Sequence, residues 1–232
     1  MIRTMWRRRI VPVAVLAMAS ISATSVSQQT PASASVATVT FTQDFPQYNP
    51  AHYSITVNAD GHARYECKGK MVADSEDEAY RSEFDVSAAG RDKIFDWTKR
   101  AQYFTGKIDS GNRKVAFTGS KVLSYQDRQR SNRAQYNYSS LAAVQELTAF
   151  FQNMGNTLEF GRRLVYFHRY QKLALDDELK RMEEQARSNE LSEIQSIAPV
   201  LREIFEDSAV INGVRARAKE LMQMGSGAGG GH

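Results

Sequence analysis

The spacing of apolar residues changes along the chain, and this change constrains the fold more than any other feature. Within residues 39–139, apolar side chains tend to recur at every second position, as in residues 53–57, which is typical of strands with one buried face. Within residues 140–224 they recur at every third or fourth position, as in residues 175–186, which is typical of amphipathic helices. The sequence therefore predicts an α+β fold, with a mostly antiparallel β-sheet and one packed helix followed by a C-terminal helical bundle.

The first half predicts the element order β-β-β-α-β-β-β. Asp60 and Gly61 lie between two alternating segments, and Asp-Gly is a strong signal for a tight hairpin turn. Ser87 is placed to accept a hydrogen bond from an early amide of the following helix. The predicted strands are residues 53–58, 63–68, 80–86, 114–118, 122–126 and 134–138.

The second half predicts successive helices. One apolar face covers residues 141–151, and the next covers residues 160–167, after Gly155. Leu191 and Ile194 are expected to begin a further helix. Pro199 is expected in the first turn of the helix after that, where a missing N–H costs no hydrogen bond.

Both termini differ in composition from the rest of the chain. Residues 1–27 combine a basic segment, a short apolar run and small residues, the pattern of a cleaved signal peptide. The apolar run is about half as long as a membrane-spanning helix requires. Residues 28–38 are small and polar and predict a disordered linker, and the glycine-rich residues 225–232 predict a flexible tail. The protein is thus expected to be periplasmic or secreted, without a transmembrane segment in its mature form.

The net charge of the mature chain argues against binding to nucleic acid. The whole chain has 30 basic and 26 acidic residues. Residues 1–27 contain four arginines and no acidic residue, so their removal leaves 26 residues of each sign. A neutral protein lacks the general attraction to phosphate that nucleic-acid binding uses.

Cys67 is the only cysteine, so no intramolecular disulfide can form. It alternates in phase with Ala63 and Tyr65 and is therefore predicted to be a small buried side chain rather than a nucleophile. The four histidines, His52, His62, His168 and His232, show no metal-binding spacing. The sequence predicts no catalytic residue, no metal site and no cofactor.

One cluster of residues suggests a binding site. Helical spacing places Arg162, Arg163, Tyr166, Arg169 and Tyr170 near one another, opposite an apolar stripe. Arginine interleaved with tyrosine suits an anionic ligand or an acidic protein surface. The alternative is that these arginines pair with acids such as Glu159 and stabilise the packing between the two halves.

Residues 45–150 resemble an uncharacterised domain of bacterial exported proteins. The matching features are a tyrosine-bearing strand, an Asp-Gly turn, a second strand with Tyr-Glu, and a helix ending in aromatic residues. They correspond to Tyr53, Asp60, Gly61, Tyr65, Glu66, Gly69, Tyr103 and Phe104. This chain lacks the cysteines that such domains often carry near the first strand. The resemblance implies an exported α+β module of unknown function and transfers no catalytic residue.

Two functions remain open from the sequence. The first is a non-enzymatic binding or structural protein of the bacterial envelope, whose partner is another envelope protein or a cell-wall component. The second is an exported hydrolase whose site is assembled from distant residues and forms no local motif. A cleft with several titratable side chains would favour the second, whereas isolated histidines would weaken it.

Overall fold

The structure, a computed structural model, describes residues 36–72, 74–112 and 114–227. The predicted signal peptide, most of the predicted linker and residues 228–232 lie outside the described residues. The strands are β1 (Thr38–Asp44), β2 (His52–Asn58), β3 (His62–Gly69), β4 (Glu78–Asp85), β5 (Ser120–Gln126) and β6 (Ser131–Tyr136). The helices are α1 (Ala88–Arg100), α2 (Ala142–Tyr170), α3 (Leu175–Arg187), α4 (Ala198–Glu206) and α5 (Asn212–Gly227). The predicted α+β class is confirmed.

The six strands form one antiparallel sheet in the order β4-β3-β2-β1-β5-β6. Strand β1 lies near its centre, where Phe41 is opposite Ile55 on β2 and Leu123 on β5. The predicted hairpin joins β2 to β3, and Gly61 at its turn has a φ of 96°, a conformation that glycine adopts without steric cost. Alternate side chains of the inner strands are buried on one face of the sheet only.

The number of strands on each side of α1 differs from the prediction. Four strands precede α1, because the residues just after the predicted linker form β1, and Thr38 at the linker's end already belongs to it. Two strands follow α1, because residues 114–118 are irregular. Gly119 turns the backbone with a φ of 96°, and the Thr118 amide donates to the Asn137 side chain at 3.1 Å instead of to a strand.

Helix α1 begins as predicted, with the Gly90 amide donating to the Ser87 hydroxyl at 3.0 Å. Helix α2 does not break at Gly155 but continues for 29 residues. A Cβ atom on Gly155 would lie 3.1 Å from the ring of Tyr53, so the missing side chain lets the helix approach the sheet. Gly155 therefore serves close packing and not helix termination.

Helices α1 and α2 pack against the buried face of the sheet, α3 and α4 pack against α2, and α5 packs against α3 and α4. Buried residues of the sheet and of the C-terminal helices belong to one continuous core. Helix α2 consequently lies between the sheet and other helices, and its middle part is buried on almost every side. This position explains the largest difference between the predicted and the observed site.

Three further details concern the C-terminal helices. Pro199 lies in the first turn of α4, as predicted. Leu191 and Ile194 do not begin an α-helix, because Glu193 has a φ of 59° and residues Ile194–Ile197 form a single 3-10 turn. Helix α5 extends to Gly227, so the first three residues of the predicted flexible tail are helical. In the described part of the chain, no helix combines the length and the apolar character needed to cross a membrane.

Candidate functional site: a polar cleft beside helix α2

Arg162 is not part of an exposed cluster, which corrects the sequence-based expectation. Its side chain is 1% exposed and points toward the sheet, because the middle of α2 is enclosed on both sides. The guanidinium donates to the Cys67 sulfur at 3.0 Å and to the Gly69 carbonyl at 2.9 Å. It also lies 3.5 Å from the Glu159 carboxylate. Arg162 therefore joins α2 to strand β3.

Arg163 is turned toward α3 and is mostly buried. Its guanidinium donates to Glu178 at 2.6 Å and lies 4.0 Å from Glu159. Glu178 is itself buried and also accepts a hydrogen bond from Arg181. The pairing of Arg162 and Arg163 with Glu159 agrees with the alternative interpretation of the sequence, in which these arginines stabilise the packing between the two halves.

Tyr166, Arg169 and Tyr170 remain at the surface near the end of α2. The Tyr166 and Tyr170 rings lie 5.2 Å apart, and the Arg169 guanidinium lies 5.4 Å from the Tyr170 ring. Three of the five predicted binding residues are thus together on the surface, separate from Arg162 and Arg163. Binding at these three residues stays a prediction.

A cleft of about 450 Å³ lies apart from Tyr166, Arg169 and Tyr170, where the β1–β2 loop faces α2 and α3. Its volume is within the range of small-molecule sites. The lining is mainly polar and combines tyrosines, side-chain amides, carboxylates and guanidiniums. Members from separate parts of the chain include Tyr48, Tyr53, Gln152, Glu159, Arg163 and Gln185.

Glu159 and Tyr65 form the most deeply buried polar contact of the cleft. The Tyr65 hydroxyl donates to Glu159 Oε1 at 2.6 Å, and the Cys67 thiol donates to the same oxygen at 3.4 Å. Burial and the neighbouring Glu159 charge raise the pKa of Tyr65 far above its usual value. The same two causes raise the pKa of the Cys67 thiol to about 11. Both groups are therefore protonated donors at neutral pH.

Glu159 Oε2 accepts no hydrogen bond from the described residues, although the Arg163 guanidinium lies 4.0 Å away. Since Glu159 lines the cleft, this oxygen is the acceptor that a bound ligand can reach. The side chain itself is 8% exposed, so its position is fixed by the surrounding core.

A second group of polar side chains forms a chain of hydrogen bonds in the cleft. The Tyr53 hydroxyl donates to Gln43 at 3.2 Å, and the Gln152 amide donates to the same oxygen at 2.9 Å. Burial raises the pKa of Tyr53 well above its usual range. The side-chain amides of Asn156 and Gln185 also line the cleft and have no hydrogen-bond partner among the described residues. These two amides are available to a ligand.

The histidines do not take part in this cleft. His52 contacts Asp44 at 2.5 Å, His62 lies near Asp85, and His168 contacts Asp207 at 2.9 Å. His232 lies outside the described residues. No group of three or more potential metal ligands is present in residues 36–72, 74–112 and 114–227. Cys67 is buried, as predicted.

No local sequence pattern indicates the cleft as a whole. Its lining comes from segments that lie between Gln43 and Glu190 in the sequence, and only the fold brings them together. One local clue exists, because Phe45 and Tyr48 are aromatic residues in a short segment between two strands. Aromatic side chains in such a loop are candidates for recognition. No protein-family model matches the chain, and no curated protein matches it significantly.

Proposed function

We propose that the protein is exported and binds a component of the bacterial envelope in this cleft without converting it chemically. Export is inferred from residues 1–27, which carry the basic, apolar and small-residue segments of a signal peptide. Removal of that segment leaves a neutral chain, which is consistent with a function other than binding nucleic acid.

The observation that carries the binding proposal is the mutual pairing of the titratable groups in the cleft. Glu159 is held by Tyr65 and lies beside Arg162, while Arg163 and Arg181 both contact Glu178. A general acid or base needs a proton that it can exchange with a substrate. Titratable groups that are hydrogen-bonded to one another in fixed positions are better suited to holding a ligand in one orientation than to exchanging protons with it.

The hydrolase alternative retains one supporting observation. Glu159 Oε2 faces the cleft without a protein donor among the described residues, and Glu190 lines the same cleft. Two carboxylates on one cleft are the usual catalytic pair for hydrolysis of a glycosidic bond. In that case Glu159→Gln would abolish product formation but leave substrate affinity within about tenfold.

The test uses the chain from residue 28 onward, mixed separately with purified cell-wall sacculi and with detergent-solubilised envelope proteins. The affected variant is Asn156→Ala/Gln185→Ala, since neither amide has a protein hydrogen bond among the described residues. The control is Gln223→Ala, an exposed glutamine on α5. We expect co-sedimentation with sacculi that the double variant weakens and the control does not.

Two results would contradict the proposal. If neither the sacculi nor the envelope proteins retain the wild type, or if they retain the wild type and the double variant equally, the cleft does not bind an envelope component. If mass spectrometry detects fragments released from sacculi by the wild type but not by Glu159→Gln, the protein is a hydrolase. Recovery of a stoichiometric envelope protein sensitive to the double variant would assign the cleft to a protein partner instead.

A further inference from the structure

The mouth of the cleft carries exposed aromatic rings. The Phe45 and Tyr48 rings are stacked with centroids 6.3 Å apart, and the Phe117 ring meets Phe45 edge-on at the same distance. Tyr48 is 55% exposed and Phe117 is 62% exposed. Large apolar rings left in solvent beside a polar cleft are unusual, and such surfaces are often binding sites. We refer to Phe45, Tyr48 and Phe117 as the aromatic lip.

The aromatic lip is held in place before any ligand arrives. The Asn49 amide donates to the Lys70 carbonyl at 2.9 Å, and the Lys70 amide donates back to Asn49 at 2.8 Å. On the other side, a Cβ atom on Gly119 would lie 2.9 Å from Phe45, so the segment carrying Phe117 packs directly against that ring. A preorganised surface loses little conformational entropy on binding.

Inside the lip, the polar groups can both donate and accept hydrogen bonds. Asn156 and Gln185 each offer an amide with two donor hydrogens and an acceptor oxygen. Glu159 adds an acceptor in a fixed position. A ligand matching this set must itself both donate and accept, as hydroxyl and acetamido groups do.

The charges that line the cleft are balanced. Glu159 and Glu190 are the acidic members, and Arg163 and Arg181 are the basic ones. Both arginines are already bonded to Glu178. A phosphate or carboxylate ligand would have to compete with Glu178, and a cationic ligand would meet two guanidiniums. The cleft therefore favours an uncharged ligand.

From these features we propose that the cleft binds an uncharged saccharide, an inference that rests on the binding function proposed above. One sugar ring lies with its apolar C–H face against Tyr48, and Phe117, which meets Phe45 edge-on, borders that ring from the side. The hydroxyl or acetamido groups of the neighbouring unit bond to Asn156, Gln185 and Glu159 Oε2. Stacking and hydrogen bonding are thereby supplied by separate parts of the site, the lip and the interior.

Calorimetric titration of the chain from residue 28 onward tests this inference with five probes. The uncharged probes are N-acetylglucosamine tetramer and cellotetraose, and the others are anionic tetragalacturonate, the cationic glucosamine tetramer and an uncharged tetrapeptide. We expect at least one uncharged tetrasaccharide to bind with a Kd below about 1 mM. The charged tetramers should bind about tenfold more weakly or not at all.

Three variants locate the binding. Tyr48→Ala and Phe117→Ala should each weaken saccharide binding about tenfold, as loss of a contact ring does. Tyr138→Ala is the matched control, because Tyr138 is 41% exposed and does not line the cleft. Circular dichroism of each variant should match the wild type, and thermal unfolding of the two lip variants should change little, since Tyr48 and Phe117 are more than half exposed.

Several results would overturn the inference. It fails if neither uncharged tetrasaccharide binds below about 10 mM, or if binding is insensitive to both lip variants. It also fails if the tetrapeptide or a charged tetramer binds most tightly. If that tighter binding is weakened by the Asn156→Ala/Gln185→Ala variant, the cleft is still a binding site, as proposed above, but for a ligand class other than uncharged saccharides.

Discussion

Tyr65 on β3 donates its hydroxyl hydrogen to Glu159 on α2 at 2.6 Å, across 94 positions of sequence. This contact ties the sheet to the central helix at the floor of the cleft. Glu159 also lies 3.5 Å from the buried Arg162 guanidinium. The same carboxylate thus balances a buried charge and forms part of the candidate binding surface.

Glu159→Ala should therefore destabilise the protein strongly. It would leave the Arg162 charge buried without its acidic partner, which typically costs about 3–5 kcal/mol. The free energy of unfolding, measured in urea, should fall by that amount. Glu190→Ala is the control, since Glu190 is an exposed acid on the same cleft, and it should change stability little. Equal effects of the two substitutions would show that the Glu159–Arg162 contact is not a buried ion pair.

Cys67 should be unreactive in the folded protein. Its thiol is buried between Glu159 and Arg162, and its pKa is raised to about 11, so the thiolate is scarce at about pH 8. Alkylation by iodoacetamide, followed by mass spectrometry, should be slow in buffer and complete in urea. Rapid modification of the native protein without loss of its circular dichroism signal would contradict the described burial.

Stability should decrease at alkaline pH. Burial raises the pKa values of Tyr53, Tyr65, Tyr136 and Cys67. The folded state therefore keeps protons that the unfolded chain releases, so stability is full below the unfolded pKa values and falls as pH rises through and above them. Lys121 acts in the opposite direction, since burial lowers its pKa, but it is one group against four.

The urea midpoint should thus be lower at about pH 10.5 than at about pH 7, with the loss beginning near pH 9. Tyrosinate absorbance should show the buried tyrosines ionising together with unfolding rather than before it. A midpoint that is constant over this range, or ionisation of all tyrosines in the folded state, would contradict the prediction.

The sequence predicted the elements whose signals are local. The Asp60-Gly61 turn, the Ser87 cap and the apolar stripe of α3 each depend on residues a few positions apart. Residues 114–118 were wrongly predicted as a strand because their composition is suitable, whereas Gly119 and the Asn137 side chain determine their path. Their irregular conformation is what places Phe117 in the aromatic lip.

The position of Arg162 could not be predicted for a different reason. A helical pattern shows which side of a helix is more apolar, but not whether a second layer covers the other side. Helix α2 has the sheet on one side and helices α3 and α4 on the other, so even a charged residue is buried there when it has partners. Those partners, Cys67, Gly69 and Glu159, come partly from a strand more than ninety positions away.

Gly119→Ala should disturb the junction between the aromatic lip and the sheet. Gly119 has a φ of 96°, and an added Cβ atom would lie 2.9 Å from both the Asp44 carbonyl and Phe45. Backbone strain together with this clash should lower the free energy of unfolding by about 1–3 kcal/mol. Urea unfolding measures the loss.

Gly106→Ala is the matched control, since Gly106 has open space around its Cα atom and no positive φ. Its effect should be small, or slightly stabilising through the lower entropy of the unfolded chain. Because Phe45 is displaced only in Gly119→Ala, that variant alone should also weaken any ligand that stacks on the lip. If the two alanine variants were equally stable, the close contact of Gly119 with Phe45 would not be a determinant of the lip's position.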